Sequence, residues 1–178
     1  IIARGKTREA IDQNGLILQS IDRQYTVKPD VVADHPAAVG ELDVLITAVK
    51  SYSLTDALQT YGENIKPGGI LLTLQNPVNH AALVSPAIRK DVTHLTGCVY
   101  ILSNIKAPGH ILRQKGPDKI IYGYAGTPNG KRELLQEIFE TAGIDAHTSD
   151  QIEDALWSKF MFISPVATAT SYFKLSIG

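Results

Sequence analysis

"LDVLITAVK", residues 42–50, is a nearly unbroken apolar run that is rich in β-branched side chains. Such a run predicts a parallel strand that is buried on both faces. The segment "SLTDALQTYGENI" (53–65) has apolar residues at helical spacing, and Ser53 is its predicted N-cap. After the predicted turn "KPGG", the segment "ILLTLQN" (70–76) predicts a second buried strand. A strand, a helix and a strand in this order form a right-handed βαβ unit, which indicates the α/β class.

The segments on either side extend this unit into a larger domain. They predict the end of a strand at 1–2, a helix at 6–15, a hairpin at 16–27, a helix at 79–89, several strands broken by Pro-Gly and Gly-Pro turns at 94–124, and an amphipathic helix at 129–144. The predicted core face of that last helix consists of Leu134, Leu135, Ile138 and Phe139. From 151 onward the pattern is helical, with "DAHTSD" (145–150) as a predicted linker. We therefore predict a Rossmann-type parallel-sheet domain over 1–148, followed by the start of an all-helical domain over 149–178.

The composition argues against several classes of function. The chain has 178 residues, of which 44% are hydrophobic and 20% charged, and its formal net charge is -1. A charge this close to zero gives no electrostatic reason to expect nucleic acid or an anionic membrane as a partner. No apolar run is long enough to span a bilayer, and no His and Cys spacing suggests a metal site. The single Cys98 cannot form an internal disulfide, which favours a reducing compartment, most simply the cytoplasm.

Three polar residues follow predicted strands, namely Arg4, Lys50 and Asn76. Ligands of an open α/β sheet bind at the carboxyl ends of its strands, and two cations there favour a ligand that carries phosphate. Taken singly, each residue also fits an ordinary surface or turn position. If the sheet binds a dinucleotide, Arg4 in place of an acid predicts NADP rather than NAD. The Gly-rich loop would precede this strand, so we expect that roughly thirty residues of a first βα unit are missing.

Five segments of the chain occur in the order and approximate spacing seen in ketopantoate reductases (2-dehydropantoate 2-reductases). They are "ARGKTREAIDQNGL", "LITAVKSYSLTDAL", "LTLQNPVNH", "GCVYILSNIKAPGHI" and "ALWSKFMF". The chain resembles this family over nearly its whole length. The resemblance implies an NADPH-dependent enzyme with an N-terminal Rossmann-type domain, a C-terminal helical domain through which two copies pair, and an active site between the domains. The reaction it implies is the reduction of ketopantoate to pantoate, on the route to pantothenate and coenzyme A.

The resemblance also implies roles for individual residues. Arg4, helped by Lys6, would contact the 2′-phosphate of NADP(H), and Lys50 would lie along the cofactor groove. Asn76 would lie near the nicotinamide and also touch the substrate, while Ser103 would contact the nicotinamide end. 

The segment "WSKFMFISPVATATSY" (157–172) contains the lysine that corresponds to the family's catalytic residue. Hydride addition to a ketone builds negative charge on the carbonyl oxygen, which the Lys159 ammonium would stabilise and protonate. The aromatic neighbours Trp157, Phe160 and Phe162 would strengthen this interaction by excluding water. The alternative to a catalytic role is that Lys159 lies on an amphipathic helix with its stem on apolar surface and its ammonium in water. That situation is the commoner one for a lysine chosen at random.

The substrate half of the motif departs from the family pattern. Ile163 and Ala167 stand where family members commonly place Asn residues that hold the substrate. Ser164 is one position further, about 100° around a helix, and it is a candidate substrate contact. Pro165 is expected to kink the helix, and Pro77 replaces the Gly that usually follows Asn76. 

Two alternatives therefore remain open at the level of sequence. One is a related 2-oxoacid reductase with another substrate, and the other is a regulator that binds NADPH without turnover. We also expect residues 1–178 alone to be inactive, because the phosphate loop and the later helices of the family are missing.

Overall fold

The computed structural model describes residues 1–76, 78 and 80–175. The helices are α1 (Gly5–Asn14), α2 (Pro36–Val39), α3 (Leu54–Tyr61), α4 (His80–Val84), α5 (Lys131–Thr141) and α6 (Ile152–Phe173). The strands are β1 (Leu16–Gln19), β2 (Gln24–Val27), β3 (Leu42–Thr47), β4 (Ile65–Thr73), β5 (Thr93–Ala107), β6 (His110–Tyr124) and β7 (Ala146–Thr148).

The strands form one mixed sheet in the order β2-β1-β6-β5-β4-β3, and β7 also pairs with β6. The predicted unit β3-α3-β4 is present, with β3 parallel to β4 and β4 parallel to β5. The α/β class is thereby confirmed. The sheet is not parallel throughout, because β1 pairs with β2 and β5 pairs with β6 in antiparallel fashion. The long β5–β6 hairpin turns back at Pro108-Gly109, which needs only two residues and so fixes the antiparallel direction.

The core consists of apolar side chains on both faces of the central strands. On one face α3 buries Leu54, Leu58 and Tyr61, in agreement with the helical spacing of this segment. On the other face Tyr122 of β6 packs edge-on against Phe139 of α5, with ring centroids 5.6 Å apart. Helices on both faces explain why the second half of β4, residues 69–73, is buried without interruption.

Two Gly- and Pro-containing segments lie within strands, although their sequences predict turns. "KPGG" (66–69) belongs to β4, where the pairing with β3 jumps from Leu42↔Ile65 to Val44↔Ile70. "GP" at 116–117 belongs to β6, where the pairing with β5 jumps from Ser103↔Arg113 to Ile101↔Asp118. Both segments therefore interrupt a ladder as bulges instead of ending a strand. Over 94–124 the predicted Pro-Gly turn is present at 108–109, whereas the predicted break at Gly-Pro 116–117 was wrong.

Gly97 of β5 allows a close approach of the neighbouring strand β6. A Cβ atom at this position would lie 2.7 Å from the carbonyl oxygen of Ile121 and 2.8 Å from the Cβ of Tyr122. The Leu74 side chain lies on the same side, at 3.2 Å. A side chain of any size at position 97 would therefore force β5 and its neighbours apart.

The segment after β6 differs from its prediction in two details. Leu135 and Phe139 of α5 are buried, whereas Leu134 and Ile138 are 46% and 43% exposed. The helix thus contacts the sheet through a narrow i, i+4 stripe and not through the wider predicted face. The predicted linker contains β7, which extends the sheet by pairing in parallel with β6.

The last helix, α6, continues through Pro165 as far as Phe173. Because proline has no N–H, the carbonyl of Met161 still lacks its usual helical partner there. The first turns of α6 pack on the sheet through Ile152 and Leu156, which form a buried cluster with Cys98. In the part of the chain that the structure describes, no helix is both long and apolar enough to cross a bilayer.

Candidate active site

The Lys159 side chain reaches from α6 to the sheet and joins three elements. Its Nζ donates a hydrogen bond to Asn76 Oδ1 at 2.9 Å, just after β4, and another to the carbonyl oxygen of Val99 in β5 at 2.8 Å. It also lies 5.7 Å from the centroid of the Tyr100 ring, within cation–π range. Two residues that the sequence places 83 positions apart, Lys159 and Asn76, are therefore in direct contact.

The end of β4 creates the room for this contact. The pairing of β4 with β5 stops at Thr73↔Thr96, whereas β5 continues to Ala107. Val99 lies three residues beyond this last pair, on a stretch of β5 that has lost its β4 neighbour. A longer β4 would pair with this stretch of β5, and the Lys159 ammonium binds there instead. The ammonium therefore lies at the carboxyl end of a parallel strand.

Burial controls the electrostatics of this contact. Lys159 is half-buried, and removal of its ammonium from water lowers its pKa below the ordinary value of 10.5. Nearby, burial raises the pKa of the Cys98 thiol, and burial together with the neighbouring Cys98 raises the pKa of the Tyr100 hydroxyl. Lys159 partly offsets the effect at Cys98, since its positive charge favours the thiolate. In the described residues the ammonium has neutral oxygens as partners and no carboxylate.

A buried pair of polar residues fixes the ends of β3 and β4 relative to each other. The Gln75 amide donates to the Thr47 carbonyl oxygen at 3.0 Å, and the Thr47 hydroxyl contacts Gln75 Oε1 at 3.5 Å. Both side chains are almost fully buried, so these hydrogen bonds are shielded from water. The link sets the position of Asn76, which follows Gln75, relative to Lys50, which follows β3.

Arg4 and Lys50 line one cavity of about 1010 Å³. Arg4 is the N-cap residue of α1, Lys6 lies in the first turn of the same helix, and all three cations are exposed. The cavity is also lined by the four consecutive strand residues 44–47, which point alternately to the two faces of β3. It therefore runs along the free edge of β3, at the end of the sheet, and is not confined to the strand tips. Asn76 and Lys159 are not part of its wall.

Two predicted contacts lie apart from the Lys159–Asn76 pair. Ser103 is exposed on β5, four residues and about 13 Å beyond Val99 along the strand. Ser164 lies about 140° around α6 from Lys159, so it projects from a different side of the helix. Neither position supports the role that the resemblance implies, and both roles stay predictions. Pro77, which replaces the family's Gly, lies outside the described residues.

The sequence analysis missed the residues of β5 and β6 that surround Lys159. Val99 contributes only its carbonyl oxygen, which no side-chain pattern reveals. Cys98 and Tyr100 are separated by two positions in a strand, which places them at the two sides of Val99 and on one face of the sheet. Lys119 is also within 5.4 Å of the Tyr100 ring centroid, and only the strand register brings it there.

A comparison with known protein families identifies relatives of the chain. Residues 1–126 match the family described as ketopantoate reductase PanE/ApbA. This chain belongs to that family. Among its relatives, the Bacillus subtilis protein called uncharacterized oxidoreductase YkpB is 24% identical over 178 residues, which are 99% of this chain and 58% of the relative. A 2-dehydropantoate 2-reductase from Halobacterium salinarum is 26% identical over 161 residues, or 90% of this chain and 52% of the relative.

Solved structures of the ketopantoate reductase family share the fold. The crystal structure of 2-dehydropantoate 2-reductase from Porphyromonas gingivalis has a TM-score of 0.85 and 31% identity, and the match covers 97% of this chain and 61% of that one. A D-mandelate dehydrogenase structure has a TM-score of 0.75 at 19% identity, covering 89% of this chain and 51% of that one, which indicates a common fold alone. This ketopantoate reductase family chain spans about half the length of the curated relatives it matches.

Proposed function

We propose that this protein reduces the keto group of a 2-oxo acid with NADPH, and that 2-dehydropantoate is its substrate. The observation that carries the proposal is the Lys159 ammonium, held by Asn76 and Val99 at the carboxyl end of β4. Ligands of open α/β sheets bind at this edge, and the ammonium there has only neutral partners among the described residues. Membership of the ketopantoate reductase family supports the same reaction class.

The chemistry of Lys159 follows from its two hydrogen bonds. An ammonium has three N–H donors, and Asn76 and Val99 accept two of them. Because these two bonds prevent free rotation of the group, the third N–H is directed to one region, where the keto oxygen would accept it. As the keto carbon is reduced, the negative charge on that oxygen grows, so the ammonium binds the transition state more strongly than the substrate. The lowered pKa of Lys159 then eases transfer of its proton to the oxygen, which completes the 2-hydroxy acid.

Asn76 would have two functions in this mechanism. Its amide oxygen orients the Lys159 ammonium, and its N–H₂ group remains available to a ligand at the same strand end. It is exposed at the point where β4 ends, which fits a contact with both the nicotinamide and the substrate.

The cationic residues around α1 fit a dinucleotide with an additional phosphate. Arg4, Lys6 and Lys50 would hold the phosphates, since Arg4 and Lys50 line one cavity and all three are exposed. The first turn of α1 contains no acidic residue, and Arg4 makes no side-chain cap, so the N–H groups of the helix start are open to an anion. When bound, NADPH supplies the hydride. The preference for NADPH over NADH rests on Arg4 and Lys6.

The substitutions on α6 favour a second candidate, the reduction of a different 2-oxo acid. Ile163 lies about 40° around the helix from Lys159, so it borders the same side of the pocket. Ile163 and Ala167 together form an apolar surface. The Asn side chains of other family members would instead offer amide groups to the hydroxyl of ketopantoate at these two positions. A 2-oxo acid with an apolar side chain would fit such an apolar surface better.

Two further parts of the proposal concern the whole protein. We infer that two copies pair through the helical domain, which is supported by exposed apolar residues on α6 such as Met161, Phe162 and Tyr172. We also infer that the enzyme works in the cytoplasm, in keeping with its single, unpaired Cys98.

The test uses the full-length gene product. NADPH consumption is followed with 2-dehydropantoate and with a panel of 2-oxo acids that carry apolar or aromatic side chains, and NADH is assayed in parallel. We expect turnover with at least one 2-oxo acid, a 2-hydroxy acid as product, and a preference for NADPH. Tight NADPH binding without turnover of any 2-oxo acid would favour a regulatory protein instead. Absence of NADPH binding would refute the proposal altogether.

A further inference from the structure

A second lysine shares the aromatic ring that Lys159 approaches. Tyr100 and Lys119 are directly opposite each other in the antiparallel pairing of β5 and β6. The Lys119 Nζ lies 5.4 Å from the centroid of the Tyr100 ring, and the Lys159 Nζ lies 5.7 Å from the same centroid. One lysine reaches the ring from the sheet and the other from α6, so two ammonium groups meet at one tyrosine.

Lys119 lies on the face of the sheet that α6 covers. Residues directly opposite in an antiparallel pair project to the same face, as do residues two apart in one strand, so Lys119, Tyr100 and Cys98 share a face. Cys98 packs against Ile152 and Leu156 of α6, which identifies that face. The positive charges of both lysines act on the Cys98 thiol, which agrees with this geometry.

The acid next to Lys119 in sequence belongs to the other face. Asp118 is the adjacent strand residue, and its carboxylate pairs with Arg113 at 2.6 Å. Among the described residues, neither Lys119 nor Lys159 has a carboxylate within ion-pair distance. The two ammonium groups carry like charges near one ring, and Lys159 is half-buried, so an anion bound beside them would offset their repulsion. A negatively charged group of a ligand would therefore bind favourably beside this pair of lysines.

We propose that Lys119 binds the carboxylate of the 2-oxo acid while Lys159 contacts its keto oxygen. This inference rests on the proposed reduction of a 2-oxo acid. In such a substrate the carboxylate is attached directly to the keto carbon, so its recognition requires a cation close to Lys159. Lys119, which approaches the same Tyr100 ring, is our candidate for that cation. The Tyr100 ring is common to both ammonium groups, which lie 5.4 and 5.7 Å from its centroid.

The two lysines would then contribute to different kinetic constants. The carboxylate keeps its charge throughout the reaction, so an interaction with Lys119 stabilises the bound substrate and the transition state equally. The charge on the keto oxygen appears only during the reaction, so the interaction with Lys159 acts on the transition state. Lys119 is therefore a substrate-binding residue that selects acids over neutral ketones, and Lys159 is the catalytic residue.

The experiment compares Lys119→Met with the wild type in the full-length gene product, using whichever 2-oxo acid gives the highest turnover. We expect KM to rise about tenfold because a charge-assisted hydrogen bond is lost, while kcat stays within about twofold. Lys119→Arg should restore most of the affinity, since it retains the charge. Lys115→Met is the matched control, because Lys115 is an exposed lysine of the same strand, and its KM should equal that of the wild type.

A neutral analogue identifies the group that Lys119 recognises. The methyl ester of the 2-oxo acid lacks the negative charge. The KM of the wild type for the ester should therefore be as high as the KM of Lys119→Met for the acid. Lys119→Met should have the same KM for the acid and for the ester. If Lys119→Met has the wild-type KM for the acid while the wild type is active, the inference is wrong and the proposed function stands.

If the wild type turns over no 2-oxo acid, the proposed function fails and calorimetry of 2-oxobutyrate with the NADP⁺-saturated protein decides the inference. Binding that is about tenfold weaker in Lys119→Met, and unchanged in Lys115→Met, would support a carboxylate site at Lys119. Equal binding by wild type and Lys119→Met, or no binding by either, would overturn it.

Discussion

The contact between Lys159 and Asn76 lies at the end of β4, whereas the cavity between Arg4 and Lys50 runs along the free edge of β3, and the two regions are built differently. In the first region the chain completes its own hydrogen bonds, at 2.8 and 2.9 Å from the Lys159 Nζ. In the second region exposed cations line a space of about 1010 Å³. The first region is thus preorganised for chemistry, whereas the second offers charge and space to a ligand. Changes in the first region should alter rates, and changes in the second should alter affinity.

The largest expected effect concerns Lys159→Met. Methionine preserves the length and apolar stem of the side chain but removes both the charge and the proton donor. We expect kcat for the 2-oxo acid to fall by about 10³-fold, while the Kd for NADPH changes by less than about twofold. Single-turnover kinetics and NADPH fluorescence titration measure the two quantities. Ser158→Ala, at an exposed neighbouring position of α6, should retain wild-type kinetics. A Lys159→Met protein with wild-type kcat would remove Lys159 from the mechanism.

A smaller effect, and the opposite kinetic pattern, is expected for Arg4→Gln. Loss of the guanidinium removes charge-assisted bonds to the 2′-phosphate, so the Kd for NADPH should rise about tenfold while kcat at saturating NADPH changes little. The Kd for NADH, which lacks that phosphate, should not change. Lys28→Gln removes an exposed cation elsewhere in the chain and serves as the control in the same titrations. An equal loss of affinity for both dinucleotides would mean that Arg4 does not distinguish them.

The smallest effect is a change in the pH dependence caused by Asn76→Asp. The reaction needs the Lys159 ammonium, so the rate should fall as pH rises through the pKa of Lys159, which burial holds below 10.5. A carboxylate at position 76 would stabilise the ammonium at the distance of the present hydrogen bond and raise that pKa. The alkaline limb of the pH profile for kcat should therefore move to higher pH. An unmoved limb would show that another group, or a step other than proton transfer, controls it.

The sequence predicted the strand ends well because their positions follow from apolar periodicity. Two buried runs joined by a helix must be parallel, and parallel strands end at one edge, which brings Lys50 and Asn76 to neighbouring positions. The family motif then supplied Lys159, and its contact with Asn76 agrees with that hypothesis. 

The details that escaped prediction depend on tertiary structure. Glycines and prolines at 66–69 and 116–117 were interpreted as turns, since a bulge and a turn have the same composition. The sequence does not show how wide the contact between α5 and the sheet is. The contact is narrow, so Leu134 and Ile138 of α5 are exposed although their spacing predicts burial. The meeting of Lys119 with Tyr100 depends on the register of a hairpin whose pairing shifts between Ser103↔Arg113 and Ile101↔Asp118.

The glycine at position 97 has a consequence for any attempt to re-engineer this enzyme family member. Substrate pockets are usually reshaped by changing side chains near the reacting atoms, and position 97, two residues before Val99, would be an obvious choice for such a library. Yet even one added carbon would meet the Ile121 oxygen at 2.7 Å and push apart the strands that carry the Val99 carbonyl and Lys119. Directed evolution of substrate preference should therefore vary α6 and keep this backbone position invariant.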